Sequence, residues 1–505
     1  MALRQRLTPA LPLFALAPAL VLLPVLLVLI HTSHAGGVPL IGRFLTAALH
    51  PSLNPAVLNS LWRGLQTTLF TALTSWMLSS VIGVVLGALG SRIVWTAVLG
   101  SPWPATVVRR LLSPIRAVHE LLWGLLLLQL LGLNAWVAVV AITLPYAALM
   151  ARVVADQIDS HPSPALAALR GVGASPSTVL ISALVPAVRT ALLRHIGHRL
   201  DCSLRSAVLL GVFGLGGLGT DLMLSLQSLQ FEELWSGLWV LAAVMILLDW
   251  LMRLHRFSWI GFPVLLLCLT AGRDQPWDSF WFSGSTIPSF QLTAATLTSA
   301  AEAFQEVNWP GVIGSTVLLS VMAACIATAL PPLQMLLWPG RLSQRVHQLT
   351  WLAQRLLSPP LTAILLMMVA QPSLSLAALA LGLHHGGVMG RVLADELTNG
   401  SSNRATALME SGASPRISWL YGPLTESSRS YLAYATYRID VILRDTATVG
   451  LVGGAGLGWE LIEAISSFHG WLIGWLVIAF AMLTLAGESL SERILVSWNC
   501  KAVPL

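Results

Sequence analysis

The chain of 505 residues is 56% hydrophobic and 10% charged, with a mean hydropathy of +0.77. Soluble domains carry about 25% charged residues, so a soluble globule and a disordered chain are both excluded, and a lipid bilayer becomes the expected solvent. The formal charge of +6 argues for no nucleic-acid partner, because membrane proteins gather Arg and Lys on the cytoplasmic side; and with Lys501 the only lysine, the Gly-Lys-Ser/Thr run of a P-loop ATP site is excluded and lysine Schiff-base chemistry is unexpected.

Apolar runs of bilayer length, about 20 residues each, predict about twelve helices. In chain order the first six are Leu11 to Ile30, Thr67 to Leu89, Leu111 to Leu131, Ala135 to Met150, a charged helix around His195 to Phe213, and Leu234 to Trp250. Then come Trp259 to Leu269, Val312 to Leu330, Leu356 to Val369, Leu374 to Val388, Tyr431 to Val452 and Trp471 to Ala486. The first run is longer than the roughly 7 to 15 residues of a signal-peptide core, so it reads as a retained helix although Ser33-His34-Ala35 imitates a cleavage site. With Arg4 and Arg6 placed inside, only Arg43, Arg63 and Arg273 fall on clearly external loops. Arg92, Arg109, Arg110 and Arg116, then Arg253 and Arg256, then Arg341, Arg345 and Arg355 all fall inside. An even number of spans with both termini in the cytoplasm fits this bias. Glu232, Glu233, Asp274, Asp278, Glu302 and Glu306 fall outside.

The chain repeats itself. Arg152-Val153-Val154-Ala155-Asp156 recurs as Arg391-Val392-Leu393-Ala394-Asp395, and Gly173-Ala174-Ser175-Pro176 as Gly412-Ala413-Ser414-Pro415, both 239 positions later (391 − 152 and 412 − 173). The register holds through Arg199 and Arg438, Asp201 and Asp440, Arg205 and Arg444, and through the glycines Gly211, Gly214, Gly217 and Gly219 with Gly450, Gly453, Gly456 and Gly458. Two halves of about six spans each are expected, residues 1–255 and 256–505. An even number of spans per half makes them parallel repeats, with a central pathway as the natural product. The Ser-, Thr- and Trp-rich segment from Asp274 to Pro310 is an extra external loop of the second half.

Each half carries a polar cytoplasmic loop, residues 156–194 and 395–429. In each, a short helix (Ala165 to Arg170, or Arg404 to Met409) is followed by Gly-Ala-Ser-Pro. Ala, Leu, Arg and Met favour helix, Gly permits the left-handed cap, and Pro bars continuation. An ordinary interspan connection would need no second copy in constant register.

Such a loop, with small residues, a Gly and a downstream apolar residue and Pro, here Ala168, Gly173, Ile181 and Pro186, resembles the EAA loop of ABC importer permeases. The run from Tyr434 to Arg444 (YATYRIDVILR) followed by Thr448 to Gly458 (TVGLVGGAGLG) resembles the phosphonate-type permeases in particular. The resemblance covers most of each half, including Thr67-Thr68 and Ser315-Thr316, and the first half is the more diverged copy. It implies two permease units fused in one chain. It also implies that Ala168, Gly173, Ala174, Ser175, Pro176 and Pro186, with Ala407, Gly412, Ala413, Ser414 and Pro415, belong to loops that couple to ATPases. The sequence departs from the pattern at Ala167 and Thr406, where the loop's acidic residue is replaced, and at Thr425, which stands where the first loop has Pro186.

Arg199, Asp201 and Arg205, and likewise Arg438, Asp440 and Arg444, stand near the inner boundary. The Asp and second Arg are four apart and share a helix face. They form either a self-neutralising ion pair with the other Arg reaching to the interface, or a cationic lining for a phosphonate-like oxyanion, which guanidinium binds bidentately. The glycines downstream act either as a hinge or external gate or as close packing points. Cys202, Cys268, Cys325 and Cys500 are scattered and read as apolar fillers. His384-His385 and His195 with His198 have no carboxylate or cysteine at ligand spacing, so no metal or other cofactor is expected.

The expected protein is an all-α integral membrane protein of the ABC importer permease type, with about twelve transmembrane helices in two parallel repeats. It is expected to be a multi-pass inner-membrane subunit that moves phosphonate or a related phosphorus oxyanion and performs no covalent chemistry. Its partners would be two cytoplasmic ATP-binding subunits, an external substrate-binding protein and the lipid bilayer. A self-sufficient twelve-span secondary transporter, or an ABC permease for another small solute, are the other readings.

Overall fold

The computed structural model describes residues 15–34, 36–132, 135–160, 168–169, 171–253, 294–399, 403–452 and 456–499. The expected span Trp259 to Leu269 lies outside them, as do Lys501, Cys268 and Cys500. Among the described residues there are helices and connections but no β-strand. They form two compact units, residues 50–290 and residues 1–49 with 291–505.

The unit that holds the second half also takes the N-terminal segment, a 3-10 turn Ala17–Val21, α1 (Leu22–His31) and α2 (Gly37–Ala47). Its anchors are backbone hydrogen bonds from His34 N–H to the Val369 carbonyl (2.9 Å) and from Gln371 N–H to the Thr32 carbonyl (3.2 Å). Val25 is buried in one cluster with Ile326, Leu376 and Leu381. Compact units and repeat halves therefore part company here: residues 15–49 precede the first repeat in sequence but pack with the second.

The unit of residues 50–290 begins with α3 (Pro55–Leu89), opened by Asn54, whose side chain accepts from Ala56 N–H, and by Pro55 at the first helical position. Then come α4 (Arg92–Leu99), α5 (Trp103–Ala117), α6 (Glu120–Leu131) and α7 (Ala135–Asp159). After the first loop come α8 (Val185–Leu210), α9 (Leu218–Gln227) and α10 (Phe231–Arg253). The single span expected from Leu111 to Leu131 is broken, with α5 and α6 meeting at 76°. Val118 is extended there, and the His119 side chain accepts from Leu121 N–H to start a new helix.

The second-half elements are α11 (Ala294–Gln305), α12 (Trp309–Leu337), α13 (Arg341–Leu356), α14 (Pro359–Met367) and α15 (Leu374–Asn399). They continue with α16 (Asn403–Glu410), α17 (Pro415–Tyr421), α18 (Pro423–Asp445), α19 (Leu457–Ser466) and α20 (Gly470–Asn499). The sequence register of 239 reappears in the architecture: α7 and α15, α9 and α19, and α10 and α20 start that far apart.

Among the described residues six helices carry stretches long and apolar enough to cross a membrane, within α3, α7, α10, α12, α15 and α20. Two bent pairs, α5 with α6 and the end of α8 with α9, pass the same test together. Of the other expected spans, Leu11 to Ile30 is represented by the short apolar helix Ala17–His31, and Leu356 to Val369 by the nine-residue α14.

In each unit the central seam is built on small residues, because in lipid helices gain most by close backbone approach. On α3, a methyl group at Gly87 would stand 2.5 Å from Val154 Cβ and 2.8 Å from the Ala151 carbonyl oxygen of α7. In the other unit the glycine sits on the opposite partner: a methyl at Gly382 of α15 would stand 2.6 Å from Ile326 Cβ on α12. Gly474 on α20 has open space around it. Gly87→Ala is therefore expected to destabilise the purified protein by about 1–3 kcal/mol. Gly474→Ala should be neutral or stabilising by up to about 1 kcal/mol. Thermal melting in detergent checks both.

Candidate functional site

In their described residues the two loops, 156–194 and 395–429, share one geometry. In the second, α16 ends with Gly412 at φ +85°, and Ala413 N–H reaches back to the Leu408 carbonyl at 2.9 Å, a glycine cap of the kind that closes helix C-termini. Ser414 then caps α17 by accepting from Ile417 N–H, with Pro415 at the first position. In the first loop Gly173 has φ +77°, Ala174 N–H bonds the Leu169 carbonyl at 3.0 Å, and Ser175 accepts from Thr178 N–H. Every one of these contacts has its counterpart 239 residues on. Of the expected first helix, residues 165–167 and Arg170 lie outside the described residues.

Both loops expose apolar side chains. Val172 is 81% and Ile181 68% exposed on the first, and Met409 53% and Ile417 47% on the second. Ala168, Ala407, Ser175, Pro176, Ser414, Pro415 and Pro186 are exposed as well. The departure at Thr425 has a structural reason. Pro186 sits in the first turn of α8 just after a π-helical turn, Leu180–Leu184, whereas in the second loop the chain breaks earlier, at Gly422 and Pro423. There a methyl on Gly422 would meet the Ser418 carbonyl oxygen at 2.6 Å. Thr425, freed of that role, donates its hydroxyl to the Leu420 carbonyl at 2.9 Å.

The charged sets on α8 and α18 are also copies. Arg205 Nη2 donates to Asp201 Oδ2 at 2.8 Å, and Arg444 Nη2 to Asp440 Oδ2 at 2.8 Å. The second pair is the more buried, with side chains 12% and 11% exposed against 20% and 17% in the first. The i, i+4 spacing thus forms the expected ion pair in both units.

The remaining arginines do not reach outward. Arg438 donates to Nδ1 of the fully buried His385 from Nη2 (3.0 Å) and Nε (3.3 Å). The other ring nitrogen, Nε2, lies 3.0 Å from Asp445 Oδ2. With Nδ1 accepting from guanidinium, the proton belongs on Nε2, facing the carboxylate. Arg199 instead lies 5.8 Å over the ring of Tyr146, a cation–π distance. The Tyr146 hydroxyl meets Ser206 Oγ at 2.7 Å, and Ser206 donates to Glu120 Oε1 at 2.6 Å.

Tyr146 and His385 are 239 apart, as are Ser206 and Asp445, so one framework carries Arg–Tyr–Ser in one unit and Arg–His–Asp in the other. The sequence reading named both arginines but missed these partners. His385 and Asp445 are 60 positions apart in the chain, and only the repeat register, applied to unlike residues, could have paired them with Tyr146 and Ser206.

The glycines mark a tight crossing between the end of α8 or α18 and the short helix that follows. Gly217 (φ +88°) and Gly456 (φ +104°) adopt backbone that disfavours a side chain. They face Thr68 and Thr316, whose hydroxyls accept from Leu218 N–H and Leu457 N–H, each at 2.8 Å. Each threonine satisfies a helix N-terminus from another helix. A methyl on Gly211 would stand 2.7 Å from the Gly216 carbonyl oxygen and one on Gly458 2.9 Å from that of Thr446; Gly219 abuts the Val208 carbonyl and Gly450 abuts Gly458. Gly214 has open space around it, and Gly453 lies outside the described residues. The α8 end and α9 meet at 56°.

Known proteins resemble this chain in sequence. The family described as binding-protein-dependent transport system inner membrane component matches residues 83–256. The phosphate-import permease protein PhnE of Mycolicibacterium smegmatis is 25% identical over 456 residues, 83% of this chain and 83% of that one, so the likeness runs through both halves. The phosphite transport system permease protein PtxC of Stutzerimonas stutzeri is 27% identical over 43% of this chain and 77% of its own length. A protein of Escherichia coli (strain K12) named as a cryptic phosphonate transport system permease, PhnE2, is 31% identical over 91 residues, 18% of this chain and 75% of the relative. No solved structure matches the chain. The chain belongs to the binding-protein-dependent ABC permease family, the membrane-spanning subunits of ABC importers, with two permease units fused in one polypeptide.

Proposed function

We propose that this permease carries phosphonate or a related phosphorus oxyanion inward across the inner membrane. Relatives named for phosphate, phosphite and phosphonate support that substrate class. An external binding protein delivers the substrate, and two separate ATPase subunits supply the energy, one at each loop. Both termini lie in the cytoplasm on this reading, and the chain has no ATP site of its own. The observation that carries it is the second loop built to the same hydrogen-bond plan as the first, with exposed apolar side chains on both. A fused permease with two ATPase partners needs such a pair, whereas a self-sufficient transporter gives it no task.

Within the membrane the paired Asp201–Arg205 and Asp440–Arg444 serve structure, and the cations left over, Arg199 and Arg438, meet the oxyanion. Arg199 has no ion pair among the described residues, so its guanidinium is the freer of the two to exchange a tyrosine face for substrate oxygens. The glycine crossings act as the bend at which the path opens.

Two outcomes follow. Uptake of a phosphorus oxyanion by cells is expected to vanish when the partner ATPases are deleted, and the purified chain alone should hydrolyse no ATP; undiminished uptake in the deletion strain would overturn the reading. Arg199→Gln is expected to lower the uptake rate by about tenfold or more, the loss of one charge-assisted contact, with ATPase assembly intact. The double change Asp201→Asn with Arg205→Gln should leave uptake within a few-fold, since removing both members of a buried pair is close to neutral. Radiolabelled uptake in cells distinguishes them, and equal losses in the two variants would contradict the division of roles.

A further inference from the structure

At the end of the first unit where α7 enters the coupling loop, α3, α5 and α7 enclose a cleft of about 270 Å³ lined by five arginines, Arg92, Arg109, Arg110, Arg116 and Arg152. Two carboxylates oppose them. Arg109 is fully engaged, with Nη1 on Asp156 (2.8 Å), Nη2 on Asp159 (2.8 Å) and Nε on the Gly90 carbonyl (2.7 Å). Asp156 is shared with Arg152 at 3.5 Å. Asp159 also accepts from Ser91 Oγ and from the Arg92 and Ile93 N–H groups at the start of α4. Of the five guanidiniums, those of Arg92 and Arg110 form no ion pair among the described residues.

The helix that carries Arg109, Arg110 and Arg116 is shaped for a boundary. Trp103, Val107 and Leu111 recur every fourth residue on α5 and are all exposed, and the helix bends by 76° into the apolar α6. An exposed apolar stripe flanked by arginines is the pattern of a helix lying in the membrane interface. In the other unit α13 has Gln348 and Leu349 at the positions of Arg109 and Arg110, and the buried Trp351 packs on Gly390, the counterpart of Ala151. Arg116 and Arg152 have counterparts in Arg355 and Arg391, whereas Arg92, like Arg109 and Arg110, has none, Pro331 standing at its position, so the full arginine cleft is particular to the first unit.

We propose that this cleft seats the phosphate of an anionic phospholipid headgroup. The acyl chains would lie along the exposed face of α5, and the phosphate oxygens would bind Arg92 and Arg110. Guanidinium suits phosphate through paired N–H donors, and basic pockets between helices at the membrane boundary select anionic headgroups. The site shares Asp156 and Asp159 with the foot of α7, so lipid occupancy braces the helix that leads into the first loop. Free phosphate offers the same oxygens without acyl chains, and the experiment separates the two sources.

The full chain in neutral detergent is melted with added phosphatidylglycerol, phosphatidylcholine or inorganic phosphate, as wild type, as Arg92→Gln/Arg110→Gln, and as Arg345→Gln for a control arginine on α13. Phosphatidylglycerol is expected to raise the melting midpoint of wild type and control, while the other two additions do not. In the double variant the phosphatidylglycerol concentration for half effect should rise about tenfold. Native mass spectrometry reads the same site without reference to stability: wild type should retain one more phosphatidylglycerol than the double variant. Equal retention would overturn the proposal, and so would a rise in midpoint with inorganic phosphate equal to that with lipid.

Discussion

An ion taken out of water costs several kcal/mol unless a partner neutralises it, and α8 and α18 each bring an Arg–Asp–Arg set into the packed part of a unit. In both units the Asp and its i+4 Arg satisfy each other at 2.8 Å. The third charge recruits partners from α7 or α15: the Tyr146 ring in one case and the His385 imidazole in the other. The approach of these helices is therefore constrained by charge as well as by shape. The small-residue seams that draw α3 onto α7 and α12 onto α15 complete the same framework. Removing one partner, as in Asp440→Asn, would strand a buried guanidinium, which explains why the pair persists while residues around it differ between the halves.

Much of this architecture could be read from the sequence because it is duplicated. The constant register exposed the loops, the Arg–Asp–Arg sets and the glycines, and i, i+4 spacing sufficed to pair Asp201 with Arg205. What escaped were contacts between elements distant in the chain. The bond from Thr68 to Leu218 N–H spans 150 positions and leaves no local pattern. His385 looked like half of a histidine doublet, since its carboxylate partner lies on another helix. The break between α5 and α6 falls at Val118 and His119, where Arg116, His119 and Glu120 interrupt the expected span from Leu111 to Leu131; it escaped because hydropathy averaged over a segment records its solvent and not its direction. The N-terminal helix was assigned to the half it precedes in sequence, yet backbone bonds at Val369 and Gln371 hold it to the other.

The two units differ most where the chemistry is most specific. A Tyr146–Ser206 pair in one occupies the positions of the His385 imidazole and the Asp445 carboxylate in the other, and an arginine cleft in one stands where Trp351 fills the other. A duplicated permease has room for such division: one copy can keep the stiffer charged network while the other keeps a less committed cation. The two loops have drifted less in geometry. Each ends its helix on a left-handed glycine and restarts it on a serine cap, with a proline at the next position.

On the proposed function both loops engage ATPase subunits. Cysteines placed at the exposed Ala168 and Ala407, in the full transporter with its ATPases, test it by disulfide cross-linking. Each single variant is predicted to capture one ATPase copy and the double variant two. An assembled, transporting complex in which only one loop cross-links, or neither does, would contradict the claim.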